Sequence, residues 1–464
     1  MSLTSLVYLF YLSIVFIFYW HSKGRLRLVF LLLFNLLFYS LISLKFIVWL
    51  LLLVLMGYVC GLYCKSKSKS VLFISTILLL LPLAIFKDGN LLLGMFSVNT
   101  SLVIIMPVGI SFYTFTAISY VVDVWKGRLE PIKDIILFSA SMTFFPVILS
   151  GPITRIKDIS SQLDTPQPFD YVLATKGSKL LLWGVFKKLV LADTINLYTR
   201  PVFDHVNAYK GFAIIIAAIL YSIQIYADFS GYSDIAIGSA NLLGINIPKN
   251  FRNPYFSLSF KEFWSRWHIS LSTWFRDYVY IPLGGNRVNS IRTNINLLIT
   301  FLLSGLWHGS GFHYLLWGLL HGILQIAEKK FFKQKSNSKR FHFSGLIQIC
   351  IMFIAITITW LLFRCNTVSD IVYLFKNMFV GILSPLNYIS RGFANLGMGK
   401  DKYFILLFVI ILITHDYIDE KHGFDLFLSK QNVIIRWILY IGFTLFVIFM
   451  LPTQLNNDFI YFQF

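Results

Sequence analysis

Long apolar runs separated by short basic loops organise this 464-residue chain. A helix that crosses a membrane needs about 20 mainly apolar residues. Runs of that length or slightly shorter fall at 3–20, 27–43, 46–64, 70–86, 103–124, 136–150 and 178–199. Further runs fall at 211–228, 231–245, 293–307, 312–327, 343–363, 403–417 and 433–451. The pattern predicts an all-α, polytopic integral membrane protein. It implies about 11–14 membrane-embedded helices, some re-entrant, because several runs are short or carry polar residues. One stretch breaks the alternation. Residues 246–292 interleave Trp, Tyr and Phe with Arg, Lys, Glu and Asp, the composition of an interfacial segment. There Trp264, Trp267 and His268 recur at helical spacing, as do Trp267, Leu271 and Trp274.

The basic loops predict an orientation. Lys23, Arg25 and Arg27, the KSKSK of Lys65–Lys69, and Lys126, Arg128 and Lys133 alternate with basic-poor loops near 44 and 88–100. The positive-inside rule then puts the N-terminus outside and these three loops in the cytoplasm, with the six basic residues of Lys329–Arg340. No basic residue precedes the first apolar run and no small-x-small cleavage site follows it, so it reads as a retained helix.

Composition narrows the class. The chain is 57% hydrophobic and 13% charged, against roughly 25% charged in soluble domains, and its mean hydropathy is +0.72. A single aqueous globule, a disordered chain and a disulfide-rich module are excluded. The formal charge of +19 would suggest nucleic acid in a soluble protein. Here the basic residues lie between apolar spans, so nucleic-acid binding is not expected, and membrane lipid and a phosphate-bearing donor are the fitting partners. The four cysteines lack zinc-ligand spacing, and neither a structural disulfide nor a metal site is predicted.

Two polar features interrupt apolar sequence. The stretch 301–322, FLLSGLWHGSGFHYLLWGLLHG, carries His308, His313 and His321. A helix from Thr293 to Trp307 is roughly 22 Å long, short of the roughly 30 Å hydrocarbon core. His308 is therefore expected within the membrane's depth, where Gly305, Gly309 and Gly311 relax the helix and admit a substrate to the backbone. A neutral histidine there suits general base work, and Trp307 suits a cavity wall; a packing histidine is the alternative. His313 and His321 lie off that face. His268 reads either as an interfacial anchor or as a second polar group on the same reaction path. The cluster YADFSGYSDIAIG holds Asp228, Ser230, Tyr232, Ser233 and Asp234. Its two carboxylates diverge by about 120° on a helix, so they line a polar cavity or hydrogen-bond between helices rather than pair as acid and base. Gly231 marks a break or a close helix contact. PLGGNR, with Asn286, is a turn. No P-loop, GxSxG or HExxH motif is present.

Together these residues carry a resemblance. The run FRNPYFSLSFKEFWSRWHISLSTWFRDYVYIPLGGNR, followed by SGLWHG, resembles the membrane-bound O-acyltransferases. PLGGNR is similar to the alginate, peptidoglycan and cellulose O-acetylation branch. PVGISFYTFTAISYVVDVWKG, FFPVILSGPITR and DFSGYSDIAIGSANLLGINIPKNF extend the match over about 107–322. The segments 1–100 and 343–464 match in hydropathy and length alone.

The resemblance implies a single membrane domain over 1–464, a ring of helices around a tunnel. It implies His308, in WHG, as the catalytic histidine and His268, in RWH, as its companion. Trp307, Trp264, Trp267, Arg266, Asp277, Asp228, Ser230, Tyr232 and Asn286 are the candidate substrate-binding or tunnel-lining residues. The expected activity is acetyl transfer from a cytoplasmic donor, acetyl-CoA, across a bacterial cytoplasmic membrane to a polysaccharide, with no bound cofactor. The resemblance also implies a separate SGNH-type acyltransferase as partner. Teichoic acid D-alanyltransferases share FWxRWH, and D-alanyl transfer is the nearest alternative. A polymer-export channel or a recruiting scaffold is the alternative of another class, and neither gives buried His308 a reason.

Overall fold

The computed structural model describes residues 3–95, 105–309, 311–331 and 340–451. Of the expected loops, residues 96–100 and the lysines at 333, 335 and 339 lie outside the described residues. The described chain is built from helices. In order they are α1 Leu6–His21, α2 Gly24–Ser43, α3 Ile47–Cys64, α4 Lys69–Met95, α5 Ile110–Trp125, α6 Ile135–Met142 and α7 Ile156–Asp164. Next come α8 Tyr171–Val185, α9 Asp193–Asp204, α10 Phe212–Leu242, α11 Phe260–Arg266, α12 Ile269–Phe275, α13 Ser290–His308 and α14 Phe312–Phe331. The last are α15 Phe343–Arg364, α16 Val368–Asn377, α17 Pro385–Asn395, α18 Asp401–His422, α19 Phe424–Ser429 and α20 Val433–Met450. A π-helical stretch, Phe186–Ala192, joins α8 to α9.

By length and composition, five described spans meet the requirement for crossing a membrane: Gly24–Cys64, Lys69–Lys87, Phe212–Leu242, Phe343–Arg364 and Val433–Met450. The other long helices are shorter or carry the polar residues discussed below. The chain is an all-α, multi-pass membrane protein.

Two expectations about the spans are corrected. The run 136–150 is not one helix. α6 stops at Met142, and turns follow through a fully buried segment. Pro146 disfavours helix in the residue before it. The buried Asn35 side chain of α2 supplies what the broken helix loses: its amide donates to the Ala140 carbonyl at 3.1 Å and accepts from the Phe145 N–H at 3.1 Å. The runs 211–228 and 231–245 are, conversely, the single 31-residue α10. Gly231 does not break it. A Cβ there would lie 2.8 Å from the Gly184 carbonyl oxygen, so the glycine serves a close helix contact.

The chain divides into two compact units. The first comprises Met1–Trp183, Tyr232–Lys249 and Ser270–Pro282. Its core is aromatic: Tyr8 packs on Phe38 and Phe145, and its hydroxyl donates to Ser239 at 2.8 Å. Within it α8 meets the last turns of α10 through glycines, where a Cβ on Gly238 would lie 2.6 Å from the Gly177 carbonyl oxygen. The second unit comprises Gly184–Gly231, Asn250–Ile269 and Leu283–Phe464. It holds both candidate catalytic histidines.

Candidate active site

His308 owes its position to a helix hairpin. Asn289 caps α13, its side-chain oxygen accepting the Arg292 N–H at 2.8 Å. The helix ends at His308, and Gly309 continues as extended chain. α14 returns against α13 at backbone contact. A Cβ on Gly305 would lie 2.3 Å from the Tyr314 carbonyl oxygen, and one on Gly318 would lie 2.3 Å from that of Phe301. A Cβ on Gly309 would meet the Tyr314 ring at 2.1 Å. This corrects one expectation: the space beside Gly305 and Gly309 is filled by α14 and leaves no room there for substrate against the backbone.

The His308 ring is 5% exposed and sits in an aromatic shell. Trp307 is 4.8 Å away, Trp317 5.1 Å and Phe363 5.1 Å, centroid to centroid. Trp317 stacks on Trp360, and Trp360 packs on Trp267 at 4.8 Å. Phe363 and Trp360 come from α15, a helix whose sequence carries no motif for this role.

His268 stands differently from the expected interfacial helix. α11 ends at Arg266, Trp267 is extended, and His268 has φ +43° before α12 begins. That left-handed backbone is costly for a residue other than glycine and occurs mostly where function or packing fixes it. The turn is fixed by segment 250–252: Arg252 donates its N–H to the Arg266 carbonyl at 3.0 Å, and Ile269 donates to Asn250 O at 2.9 Å. The Asn250 side-chain oxygen accepts from His268 Nδ1 at 3.2 Å. That bond puts the ring proton on Nδ1 and makes Nε2 the acceptor. Phe229 packs edge-on at 4.6 Å. Burial pushes the imidazole down to about 3, so it is neutral at physiological pH. The His268 ring lies 6.2 Å from Trp307. Trp307 is thus the shared neighbour of the two histidines.

The remaining candidates have the following partners. Trp264 donates its indole N–H to His321 Nδ1 at 3.2 Å, so the fully buried His321 acts in packing the shell. Trp267 stacks on Phe263. Arg266 makes a fork on Glu420, at 2.7 and 2.8 Å, and pairs with Glu262 at 2.9 Å. Arg340 pairs with the same two carboxylates, at 2.7 Å to Glu420. Burial raises the Glu420 carboxyl, but Arg266 and Arg340 outweigh it and hold the pKa below the usual value. Asp228 pairs with the buried Lys188 at 2.6 Å, Lys188 also pairs with Asp193 at 2.8 Å, and Lys187 donates to Ser230 at 2.9 Å. Asp228 and Ser230 are therefore members of a neutralised polar cluster beside the π-helical stretch. Asn286 is exposed, in a turn where Gly284 and Gly285 have positive φ. Tyr232 and Asp277 belong to the first unit. Tyr232 is fully buried, and Asp277 pairs with Arg155 at 3.2 Å and Arg276 at 2.8 Å. His313 is half-buried, against Tyr314.

The sequence reading missed Lys188, Asn250, Arg340 and Glu420. Lys187 and Lys188 inside an apolar run were a visible signal, since intramembrane charges carry partners or functions. Among the described residues, no group of three His, Cys, Asp or Glu side chains is placed to hold a metal ion.

The structure thus brings together a buried histidine at a helix end, an aromatic shell and a second histidine across a shared Trp. Residues 28–368 match the model of the membrane-bound O-acyltransferase family, and the chain belongs to that family. A probable alginate O-acetylase of Pseudomonas syringae is 34% identical over 397 residues, covering 82% of this chain and 75% of that protein. A peptidoglycan O-acetyltransferase of Helicobacter pylori is 33% identical over 303 residues, 59% of this chain and 57% of that protein. A teichoic acid D-alanyltransferase of Streptococcus thermophilus is 30% identical over 286 residues, 58% of this chain and 67% of that protein. Matches thus span between half and three quarters of these relatives.

Proposed function

We propose that the protein moves acetyl from acetyl-CoA on the cytoplasmic side of a bacterial inner membrane to a hydroxyl on the other side, with the N-terminus outside. The acceptor is an envelope polysaccharide, reached directly or through the serine of an SGNH-type partner. The observation that carries this reading is the placement of His308 and His268 around Trp307 in a buried aromatic shell. The names of the relatives, which act on alginate, peptidoglycan and teichoic acid, support acyl transfer to a polymer.

Each residue then has a task. His308 takes the proton of the acceptor hydroxyl as its oxygen attacks the thioester carbonyl. The C–S bond breaks, and the same imidazolium returns the proton to the departing CoA thiolate, so oxygen ester and thiol form in balance. His268, accepting at Nε2, takes a hydrogen bond from an amide N–H of the donor's pantetheine arm and positions it. The buried aromatic wall limits hydrolysis of the thioester, and holding both reactants in register supplies much of the rate.

The test uses proteoliposomes with labelled acetyl-CoA supplied from the face of the basic loops. Label should leave CoA and reach added glycan or partner on the opposite face. Donor added from the other face should not be consumed. Consumption from the wrong face refutes the orientation. No consumption with any acyl-CoA, partner and glycan present refutes the acyltransferase reading and favours an export channel or scaffold.

A further inference from the structure

A second site lies beyond His308. The end of α9, the turn Val206–Ala208 and the start of α16 enclose a cleft of about 360 Å³, lined by Phe203, Asp204, His205, Asn207, Asn366 and Asp370. It falls in the size range of small-molecule sites. One layer of side chains connects it to the histidine. Phe363 packs on His308 at 5.1 Å, and its neighbour Arg364 donates to Asp204 at 2.8 Å and covers the Phe203 ring at 5.5 Å. Both α13 and α15 begin beside basic segments and end at this layer. In the orientation proposed above the cleft therefore opens on the acceptor face.

The lining selects a ligand. His205, Asn207 and Asn366 make no side-chain hydrogen bond within the described residues, and together they offer donors and acceptors to water or a ligand. The two carboxylates are engaged: Asp204 holds Arg364 and Arg200, and Asp370 accepts from the Thr367 N–H and hydroxyl. The lining contains no lysine or arginine, and the two nearby arginines are spent on Asp204. A sugar hydroxyl or amide finds partners here, whereas a uronate carboxylate meets two carboxylates and no lysine or arginine left to pair it.

We propose that this cleft is a saccharide-binding site for the acceptor glycan, selective for uncharged sugars over uronates. The assignment rests on the acyl-transfer reading for the word acceptor, and its test does not depend on transfer. Full-length protein in detergent is titrated with an N-acetylglucosamine tetramer and with a mannuronate tetramer, followed by saturation-transfer NMR. The uncharged tetramer should bind and the uronate should not. Asn207→Ala with Asn366→Ala should weaken binding about tenfold or more. Asn366→Lys should admit the uronate, a gain that damage to the fold does not produce. Binding is read on His308→Ala protein as well, where it should persist. Glycan binding without acetyl-CoA turnover would sink the acyl-transfer reading alone. Turnover with neither tetramer bound, equal binding of both, or an unaffected double alanine variant would overturn the cleft assignment.

Discussion

Gly305→Ala perturbs the site without touching its chemistry. The added Cβ would lie 2.3 Å from the Tyr314 carbonyl oxygen, where even close C···O contacts run about 3.3 Å. The obstacle is backbone, so α13 and α14 must separate by about 1 Å. Overpacking of this kind costs about 1–3 kcal/mol, and alanine's better helix propensity returns about 1. The net loss of stability is then about 0–2 kcal/mol, and the protein should still fold. His308 lies three residues further along the same helix. A displacement near 1 Å can lower a rate by about 100-fold, so acetyl transfer should fall roughly 10- to 100-fold, in kcat more than in KM. Gly318→Ala meets the Phe301 carbonyl at the same 2.3 Å and should act alike, with the double variant less than additive. Gly442→Ala in α20, where nothing lies within 4 Å, is the control. The assay is transfer from labelled acetyl-CoA beside thermal unfolding in detergent. A folded Gly305→Ala protein with wild-type kcat would refute the claim that this hairpin positions the base.

Other expectations follow from the same geometry. Lys188→Met leaves Asp193 and Asp228 buried without their cation and should lower stability by about 3–5 kcal/mol; adding Asp193→Asn and Asp228→Asn should recover most of it in thermal unfolding. Asn250→Ala frees the His268 tautomer and should raise the donor KM about 3- to 10-fold with a smaller change in kcat, read in steady-state kinetics. Arg266→Lys loses the fork on Glu420 and should behave nearly as badly as Arg266→Ala in thermal stability, since an ammonium does not bind both oxygens. Acid should destabilise the protein in two stages. The unfolded state gains a proton at His268 below about pH 6.5 while the folded state does not, and the depressed Glu420 pKa gives stability that is present above about 4.5 and lost below it. Thermal midpoints measured against pH should show both, and Glu420→Gln should remove the lower one.

The legible parts of the molecule were those written locally. The apolar runs gave most long helices, and the glycine cluster located the end of α13 at His308. The aromatic-basic segment separated itself from the spans, although the backbone reversal at His268 depends on Asn250 and Arg252, which lie outside the helix pattern. What stayed hidden was set by distant partners. Glu420 meets Arg266 from 154 residues away in sequence, and Arg340 meets Glu262 from 78, beyond any periodicity. The half-length of α6 depends on Asn35 in another helix. Hydropathy also averaged away Lys188, because two lysines barely lower the mean of a long apolar run, while their burial decides where Asp228 points.

The most direct measurement is single-turnover loss of label from acetyl-CoA, with acceptor glycan and partner present, for wild type and His308→Ala, both first shown to be folded. The account predicts transfer by the wild type and a loss of at least about 100-fold in the variant. Equal transfer by the two proteins would contradict it, because the chemistry would then proceed without the base on which the site is built.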